Sequence, residues 1–500
     1  MTQEATEADV RAAVEAAEAA FGAAPFRPGD DAMRADLLDA LADALAAERH
    51  ALVALADAET HLGADRLYGE LLRTVRQLEM CAELAREGAW LDPVIDTAID
   101  APPPYGRPDI RRINEALGPV AVFAASNFPF AFSVLGNDFA SAFAVGCPVV
   151  LKTHPGHPET SAAVAKIAAS ILPEGALSVL YGTGYGANLH LVQARAIRAA
   201  GFTGSLGGGR ALLSAIDQRA DPIPFFGELG AVNPVVVCPE AANARGAALG
   251  QTLATGATMS MGQFCTNPGV ILRPAGAAEF DDAFMSGIAK APRHALLNER
   301  IDAGFAKGAE TLKASPGVTM KDAMGHLVFS ISAADFAASE IAREEVFGPA
   351  TLLVSYEGEA DLMAAVDALE GSLTASLHAD PADDALADEI EPRLRRIAGR
   401  VLYAGVSPGV ALTDAMVHGG PFPSSTRGDS SSVGALSLTR WTRPVAYQSC
   451  PARRLPPGLD DENARGLTRR VNGAVTRGPV SAHPAEQADD KGRMKTWRND

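Results

Sequence analysis

Apolar side chains recur at helical spacing through the first ninety residues. Val10, Val14 and Phe21 form one such run, and Leu37, Leu38, Leu41 and Leu45 form a second behind Asp30 and Asp31, which are placed to cap it. Leu67, Leu71, Leu72 and Val75 mark a third. This stretch is expected to be a packing layer of helices. The pattern breaks over 93–108, where three consecutive prolines and Pro108 exclude a helix and predict an extended arm.

From 118 to about 237 short apolar runs alternate with helical ones. GPVAVFAAS, PVVLK, LSVLYG, PFFGELG and PVVVC read as buried strands, and the segments between them as crossover helices. That rhythm predicts a parallel sheet with helices on both faces, the doubly wound α/β arrangement. A long helix over roughly 242–259 and later strands in FGPATLLVSY, LTASLHA and GRVLYAG continue the alternation to about 410 and predict a second α/β domain. Beyond 405 the chain is rich in Gly, Pro and Ser and reads as loop, and its last ~20 residues are polar enough to be expected disordered.

The 500 residues allow two or three domains at roughly 100–200 residues each. A formal net charge of −18 repels phosphate backbones, which argues against nucleic acid as a partner. Cys81, Cys147, Cys238, Cys265 and Cys450 are scattered and odd in number, with no CxxC pair. Neither a disulfide framework nor a metal site is expected, and a reducing compartment, the cytoplasm, fits best. The acidic N-terminus lacks a signal pattern, and no run reaches the ~18 apolar residues of a membrane span.

Four segments carry candidate chemistry, each with a plainer alternative. Cys265, in MSMGQFCTNPG, sits between a helix and a strand on a turn that could expose its thiol; a buried, inert cysteine is the alternative. Glu228, in FFGELG, is flanked by Phe225, Phe226, Leu229 and Val232, a setting that would raise its pKa and suit a general base; otherwise it is an exposed strand-end glutamate. Asn127 follows an apolar strand and could donate to an oxyanion, or simply form an Asx turn before Pro129. GFTGSLGGGR, 201–210, places glycines where backbone N–H groups could approach phosphate at a helix N-terminus, although it is not a GxGxxG pattern.

The order Asn, Lys, Gly-rich turn, Glu, Cys, each at a strand end, resembles the aldehyde dehydrogenase superfamily. The resemblance covers about residues 8–475 and rests on SNFPF, GFTGS, ELG, GQFCT and EEVFGP. It implies two doubly wound parallel-sheet domains plus a small oligomerisation arm. The expected boundaries are 1–226 for a dinucleotide-binding domain with an arm at about 93–116, and 227–408 for a catalytic domain. Residues 409–478 would return to the cofactor domain and complete the oligomerisation segment, with 479–500 as a tail. By the same resemblance Cys265 is the nucleophile, Asn127 with the Cys265 backbone N–H the oxyanion hole, and Glu228 the base that activates water. Lys152, Gly204, Ser205, Glu345 and Phe347 would contact a nicotinamide dinucleotide.

Two departures from the common family pattern refine this. Many relatives carry an acid three residues after the lysine, where it binds the adenosine ribose; here Pro155 stands there, while His154 lies beside Lys152 and Arg210 follows the Gly-rich turn. A missing acid with an added arginine suits a 2′-phosphate, so NADP is the expected cofactor, with NAD as the alternative. The C-terminal MVHGGPFPSSTRGDSSSVG, together with SNFPFAFS and KTHPGHP, resembles the α-ketoglutaric semialdehyde (2,5-dioxovalerate) dehydrogenase branch and its long-chain aldehyde relatives. In that branch His418 would lie near the active site as an extra base or proton relay. Phe128, Phe132, Leu135 and Phe264 are expected to line the substrate tunnel, and Arg427 is a candidate for a far carboxylate. The family resemblance also implies a homodimer or homotetramer. The competing readings are a long-chain or aromatic aldehyde dehydrogenase, a CoA-acylating enzyme, against which Glu228 argues, and a silent binding protein on the same fold.

Overall fold

The structure is a computed structural model, and it describes residues 4–102, 106–483 and 485. Most of the 479–500 segment therefore lies outside the described residues, as do Pro103, Pro104 and Tyr105 of the arm.

Four helices, Glu7–Ala20, Asp31–Ala47, Arg49–Thr60 and Ala64–Glu87, fill the N-terminal stretch where three were expected. Asp30 stands at the N-cap of the second but makes no capping hydrogen bond, and Asp31 instead pairs with the buried Arg34. Leu38, Leu41 and Leu45 are buried, whereas Leu72 is exposed. The Ala64–Glu87 helix is the longest. Its apolar side packs on the Ala/Phe-rich helix Asn137–Val145, which is buried at all nine positions.

The first sheet runs Leu177–Leu180, Val149–Lys152, Val120–Phe123, Ala199–Thr203, Phe225–Glu228, all parallel. Chain order reverses across Val120–Phe123, so this is a doubly wound sheet, whose strand C-termini form a ligand-binding crevice in such folds. The second sheet has seven strands: Thr319–Ala323, His326–Ser332, Ala350–Tyr356, Val270–Pro274, Val235–Val237, Ser372–His378 and Ala398–Leu402. It is parallel except for the 319–332 hairpin, an antiparallel pair that the βα rhythm did not predict. The chain crosses between the two sheets within 229–234, slightly beyond the expected 226/227 division.

A third sheet joins Val94–Asp96 and Ile110–Ala116 to Thr442–Gln448, Arg469–Val471 and Ala474–Thr476. The proline-rich arm therefore pairs with the C-terminal return. Trp441 anchors that return: it is fully buried, and its indole N–H donates to Ser141 Oγ at 2.9 Å. The loop before it lies along the end of the Phe225–Glu228 strand, with Leu229 N donating to Ser424 O at 2.7 Å and Thr426 N to Gly227 O at 2.9 Å. This seam brings residues two hundred positions apart to one place. Among the described residues no helix is long and apolar enough to cross a membrane.

Candidate active site

Cys265 lies between the short 3-10 turn Met259–Gly262 and the Val270–Pro274 strand. Ser260, Met261 and Gly262 all take positive φ, a strained approach that neighbouring side chains hold in place. Gln263 is fully buried: its Nε2 donates to Ser260 O at 3.0 Å, and its Oε1 accepts from Leu297 N at 2.9 Å. Asn233 holds the other side of the turn. Its Nδ2 donates to Cys265 O at 2.8 Å and to Asn267 O at 3.0 Å. Cys265 itself is partly exposed. Cys81, Cys147 and Cys238 are buried and their thiols pushed up by that burial, to about 12, 11 and 12, so they stay neutral packing groups.

Asn127 is buried, and one of its two amide N–H groups donates to Gln263 O at 3.1 Å, beside the Cys265 turn. Phe128, Phe132 and Phe264 form an edge-to-face aromatic wall, with Phe128 centroids 5.6 Å from both partners. The Phe132 ring stands 6.2 Å from the imidazole of His418. Leu135 does not join this wall. The turn after Phe132 carries it into the main core of the first domain, where it is 1% exposed.

His418 and Glu228 form the electrostatic centre. Nε2 of His418 lies 3.0 Å from Glu228 Oε1 and 3.4 Å from the Cys265 sulfur, and all three reactive atoms fall within 4.8 Å of one another. Burial opposes the imidazolium, but Glu228 and Cys265 outweigh it and raise His418 to about 10. Burial likewise opposes the Glu228 carboxylate, yet the His418 charge and a 2.6 Å hydrogen bond from Ser432 Oγ hold its pKa below the usual range. The sequence-based expectation of a raised Glu228 pKa is thus corrected. The apolar neighbours are present, but a cation and a hydroxyl delivered from the C-terminal loop dominate them. Ser432 also donates from its backbone to His418 O at 2.7 Å, which ties Glu228 and His418 into one unit.

Lys152, His154, Gly204, Ser205 and Arg210 sit at or just beyond strand ends of the first sheet, and Glu345 and Phe347 before the Ala350–Tyr356 strand of the second. Ser205 caps the Leu206–Asp217 helix through a 3.2 Å bond from Gly208 N, and Gly204 N donates to Glu228 O at 3.0 Å. Lys152 is buried with Nζ donating to Thr153 O and Gly182 O. Arg210 is exposed, its guanidinium 5.6 Å from the Phe422 ring. Burial, with the charges of Arg300 and Lys152 nearby, lowers His154 to about 3, so it offers a neutral imidazole rather than the basic charge expected of it. Glu345 and Phe347 line a cleft with Ala231, Gly262 and Asn267. Burial pushes Glu345 up to about 8, opposed only by a hydrogen bond from the Ala231 N–H. A buried carboxyl held by a single backbone N–H retains acceptor capacity for the hydroxyl groups of a bound ligand.

Sequence reasoning missed several groups here. Ser432 was read only as part of a serine-rich loop, and Asn233 as part of a strand approach. Glu4 was not considered: Oε2 accepts from Thr183 N at 2.7 Å and Oε1 from Gly184 N at 2.9 Å, beside Lys152. A carboxylate from the far N-terminus thus reaches the neighbourhood of Lys152. Arg66 and Arg73, not singled out in the sequence, lie against the aromatic wall, with their guanidinium groups over Phe128, Phe264 and Phe132. Arg427 is engaged elsewhere, paired through Nε and Nη2 with Asp429 at 2.9 and 2.7 Å on the surface.

A strand-end thiol with an asparagine, a glutamate and a dinucleotide-type crevice defines a class, and comparison with known proteins agrees. Residues 1–292 match the model of the aldehyde dehydrogenase family, and the chain belongs to that family. It is an oxidoreductase that converts an aldehyde to the acid with NAD(P). It is 41% identical to α-ketoglutaric semialdehyde dehydrogenase 2 of Azospirillum brasilense, over 94% of this chain and 92% of the relative. It is 39% identical to α-ketoglutaric semialdehyde dehydrogenase of Acinetobacter baylyi, over 93% and 91%. The fold matches a betaine aldehyde dehydrogenase from Staphylococcus aureus in complex with NAD+, with TM-score 0.74, 19% identity, and coverage of 90% of this chain and 91% of that one.

Proposed function

We propose that the chain oxidises α-ketoglutaric semialdehyde (2,5-dioxopentanoate) to 2-oxoglutarate, with NADP as the preferred cofactor. The observation that carries the reaction is the Cys265, His418 and Glu228 cluster, and end-to-end similarity to two semialdehyde dehydrogenases supports the substrate.

In this reading the Cys265 sulfur attacks the aldehyde carbon as a thiolate, favoured by the imidazolium 3.4 Å away. The Asn127 amide and the Cys265 backbone N–H stabilise the oxyanion of the thiohemiacetal. A bound nicotinamide supplies the hydride acceptor that turns the thiohemiacetal into a thioester. Lys152, Gly204, Ser205, Glu345 and Phe347 hold that cofactor. Glu228, freed from His418 by a shift of the imidazole or acting with it, then takes a proton from the water that cleaves the thioester. His418 is a positioning and proton-holding group between the two.

Arg210 and the absence of an acid at Pro155 support NADP. Glu4 supports a second reading, NAD, because its carboxylate beside Lys152 would repel a 2′-phosphate. The five free thiols support a cytoplasmic enzyme. The arm sheet, with the Thr442–Gln448 strand on its edge, supports a homodimer or homotetramer, which light scattering would measure.

The test is a substrate panel read by NAD(P)H absorbance: 2,5-dioxopentanoate, succinic semialdehyde, decanal and benzaldehyde, each with NADP and NAD. The expected winner is 2,5-dioxopentanoate with NADP, with activity lost in Cys265→Ala. Equal rates in Cys265→Ala, or a decisive preference for decanal, would overturn the assignment.

A further inference from the structure

A semialdehyde ending in a carboxylate needs a cationic receptor away from the thiol, and the helix against the aromatic wall carries two arginines whose donors are not used up. Arg66, Glu70 and Arg73 follow one another at i, i+4 and i+7 along the Ala64–Glu87 helix, so they share a face. That face packs on the SNFPF loop. Glu70 Oε1 accepts from Phe130 N at 2.8 Å and Ala131 N at 3.0 Å, and Arg66 Nη2 donates to Asn127 O at 2.7 Å. The loop that carries the oxyanion asparagine is therefore bolted to this helix.

The guanidinium of Arg66 lies 5.0 Å from the ring centroids of both Phe128 and Phe264, the latter adjacent to Cys265. That of Arg73 lies 5.6 Å from Phe132, whose ring in turn faces His418. Both cations thus border the walls that surround the thiol. Nε and Nη1 of Arg66 and Nη1 of Arg73 are buried without hydrogen-bond partners. Glu70, set between them on the helix, attracts both guanidinium charges, but burial pushes its own pKa up, and no ion pair at contact distance joins it to either arginine among the described residues. Arg400, a third guanidinium whose electrostatics reach Cys265, has both terminal nitrogens on Gly409 O and Ser407 O. Desolvated cations with idle donors are costly, which is why such groups mark ligand sites more often than structural ones.

We infer that Arg66 and Arg73 form the receptor for the terminal carboxylate of the substrate, and that they select short aldehydes ending in a carboxylate over neutral aldehydes of the same length. The inference deepens the proposed function and rests on it. A guanidinium fork matches a carboxylate in geometry as well as charge, and the aromatic faces hold each fork in place. A neutral aldehyde would enter the same tunnel and leave those donors unpaired, which is how a site built for a polar group rejects an analogue lacking it.

The experiment compares kcat/KM for 2,5-dioxopentanoate and pentanal in wild type, Arg66→Gln, Arg73→Gln and Arg73→Lys, with glutarate as a dead-end inhibitor of wild type. The expected result is a strong wild-type preference for 2,5-dioxopentanoate. Each glutamine variant should reduce the ratio of the two kcat/KM values roughly ten- to a hundredfold, mainly through KM, with partial recovery in the lysine variant. Glutarate should compete with the aldehyde. A wild type that prefers pentanal would overturn the substrate reading and the receptor with it. A wild type that prefers the semialdehyde, with variants that keep the same ratio, would overturn the receptor alone. If the glutamine variants do not fold, the glutarate measurement decides: failure to compete in a semialdehyde-preferring wild type counts against the receptor.

Discussion

Glu228 and His418 face each other as a buried ion pair, 3.0 Å apart, and the nitrogen that binds the carboxylate also lies 3.4 Å from the Cys265 sulfur. One proton on one imidazole is therefore shared in influence by the proposed base and the proposed nucleophile.

The pH dependence of stability and the reactivity of Cys265 should reveal this sharing. His418 has its folded pKa raised from 6.5 to about 10, so the imidazolium's contribution to stability is complete below about 6.5 and is lost as pH rises through about 10. Glu228 is depressed below 4.5, so its contribution is present above that value and is lost as pH falls through the lower, folded one. Iodoacetamide should alkylate wild-type Cys265 readily at neutral pH. His418→Gln removes the imidazole 3.4 Å from the sulfur and should slow alkylation about tenfold at pH 7. The same variant leaves a buried carboxylate without its counter-ion, a loss of about 3–5 kcal/mol at most, visible as a lower Tm. An alkylation profile identical to wild type would remove His418 from the site's chemistry.

Removing the base should separate the two halves of the reaction. Glu228→Gln keeps the hydrogen-bonding shape but cannot take a proton, so steady-state turnover should fall by about 10²–10⁴. Stopped-flow absorbance should then show a burst of NAD(P)H near one per active site. Loss of the burst along with the steady state would place Glu228 in the first half-reaction instead.

Cofactor choice should respond to two residues in opposite directions. Arg210→Ala should lower the NADP/NAD ratio of kcat/KM roughly ten- to a hundredfold, the size of one charge-assisted contact. Glu4→Gln removes the carboxylate from the Thr183 and Gly184 N–H groups beside Lys152 and should raise the same ratio. Unchanged ratios in both variants would mean that neither side chain meets the 2′-position.

Asn233→Ala should loosen the Cys265 turn. The side chain is buried, donates to Cys265 O and Asn267 O, and accepts from Thr374 N at 3.2 Å, while its own φ is +47°. Lost buried hydrogen bonds cost about 1–3 kcal/mol, and the positive φ disfavours alanine further. Calorimetry should show a lower Tm, and the wild-type value would refute the bracing role.

Much of the architecture was legible because periodicity is local. Alternating buried strands and helices from 118 to 237 report a parallel sheet in their own spacing, and the prolines of the arm forbid a helix whatever surrounds them. The antiparallel 319–332 hairpin was not legible, since its exposed edge strand, TMKDA, carries little apolar pattern. Cys265, Glu228, Asn127 and His418 could be picked out by residue type and family motif, and the folded chain brings the sulfur, the carboxylate and the imidazole within 4.8 Å.

Charge state and partnership belong to the tertiary structure alone. The apolar neighbours of Glu228 argued for a raised pKa, but the outcome was set by His418 and Ser432, some two hundred residues away, through a loop seam that no local window contains. Leu135 read as a tunnel wall and Arg66 and Arg73 drew no notice, because spacing shows which residues share a face but not which segment that face will meet. The sequence by itself determined the elements and the reactive residue types. Their titration, their idle donors and the space between them depend on distances across the fold, because electrostatic and desolvation energies follow separation in space rather than along the chain.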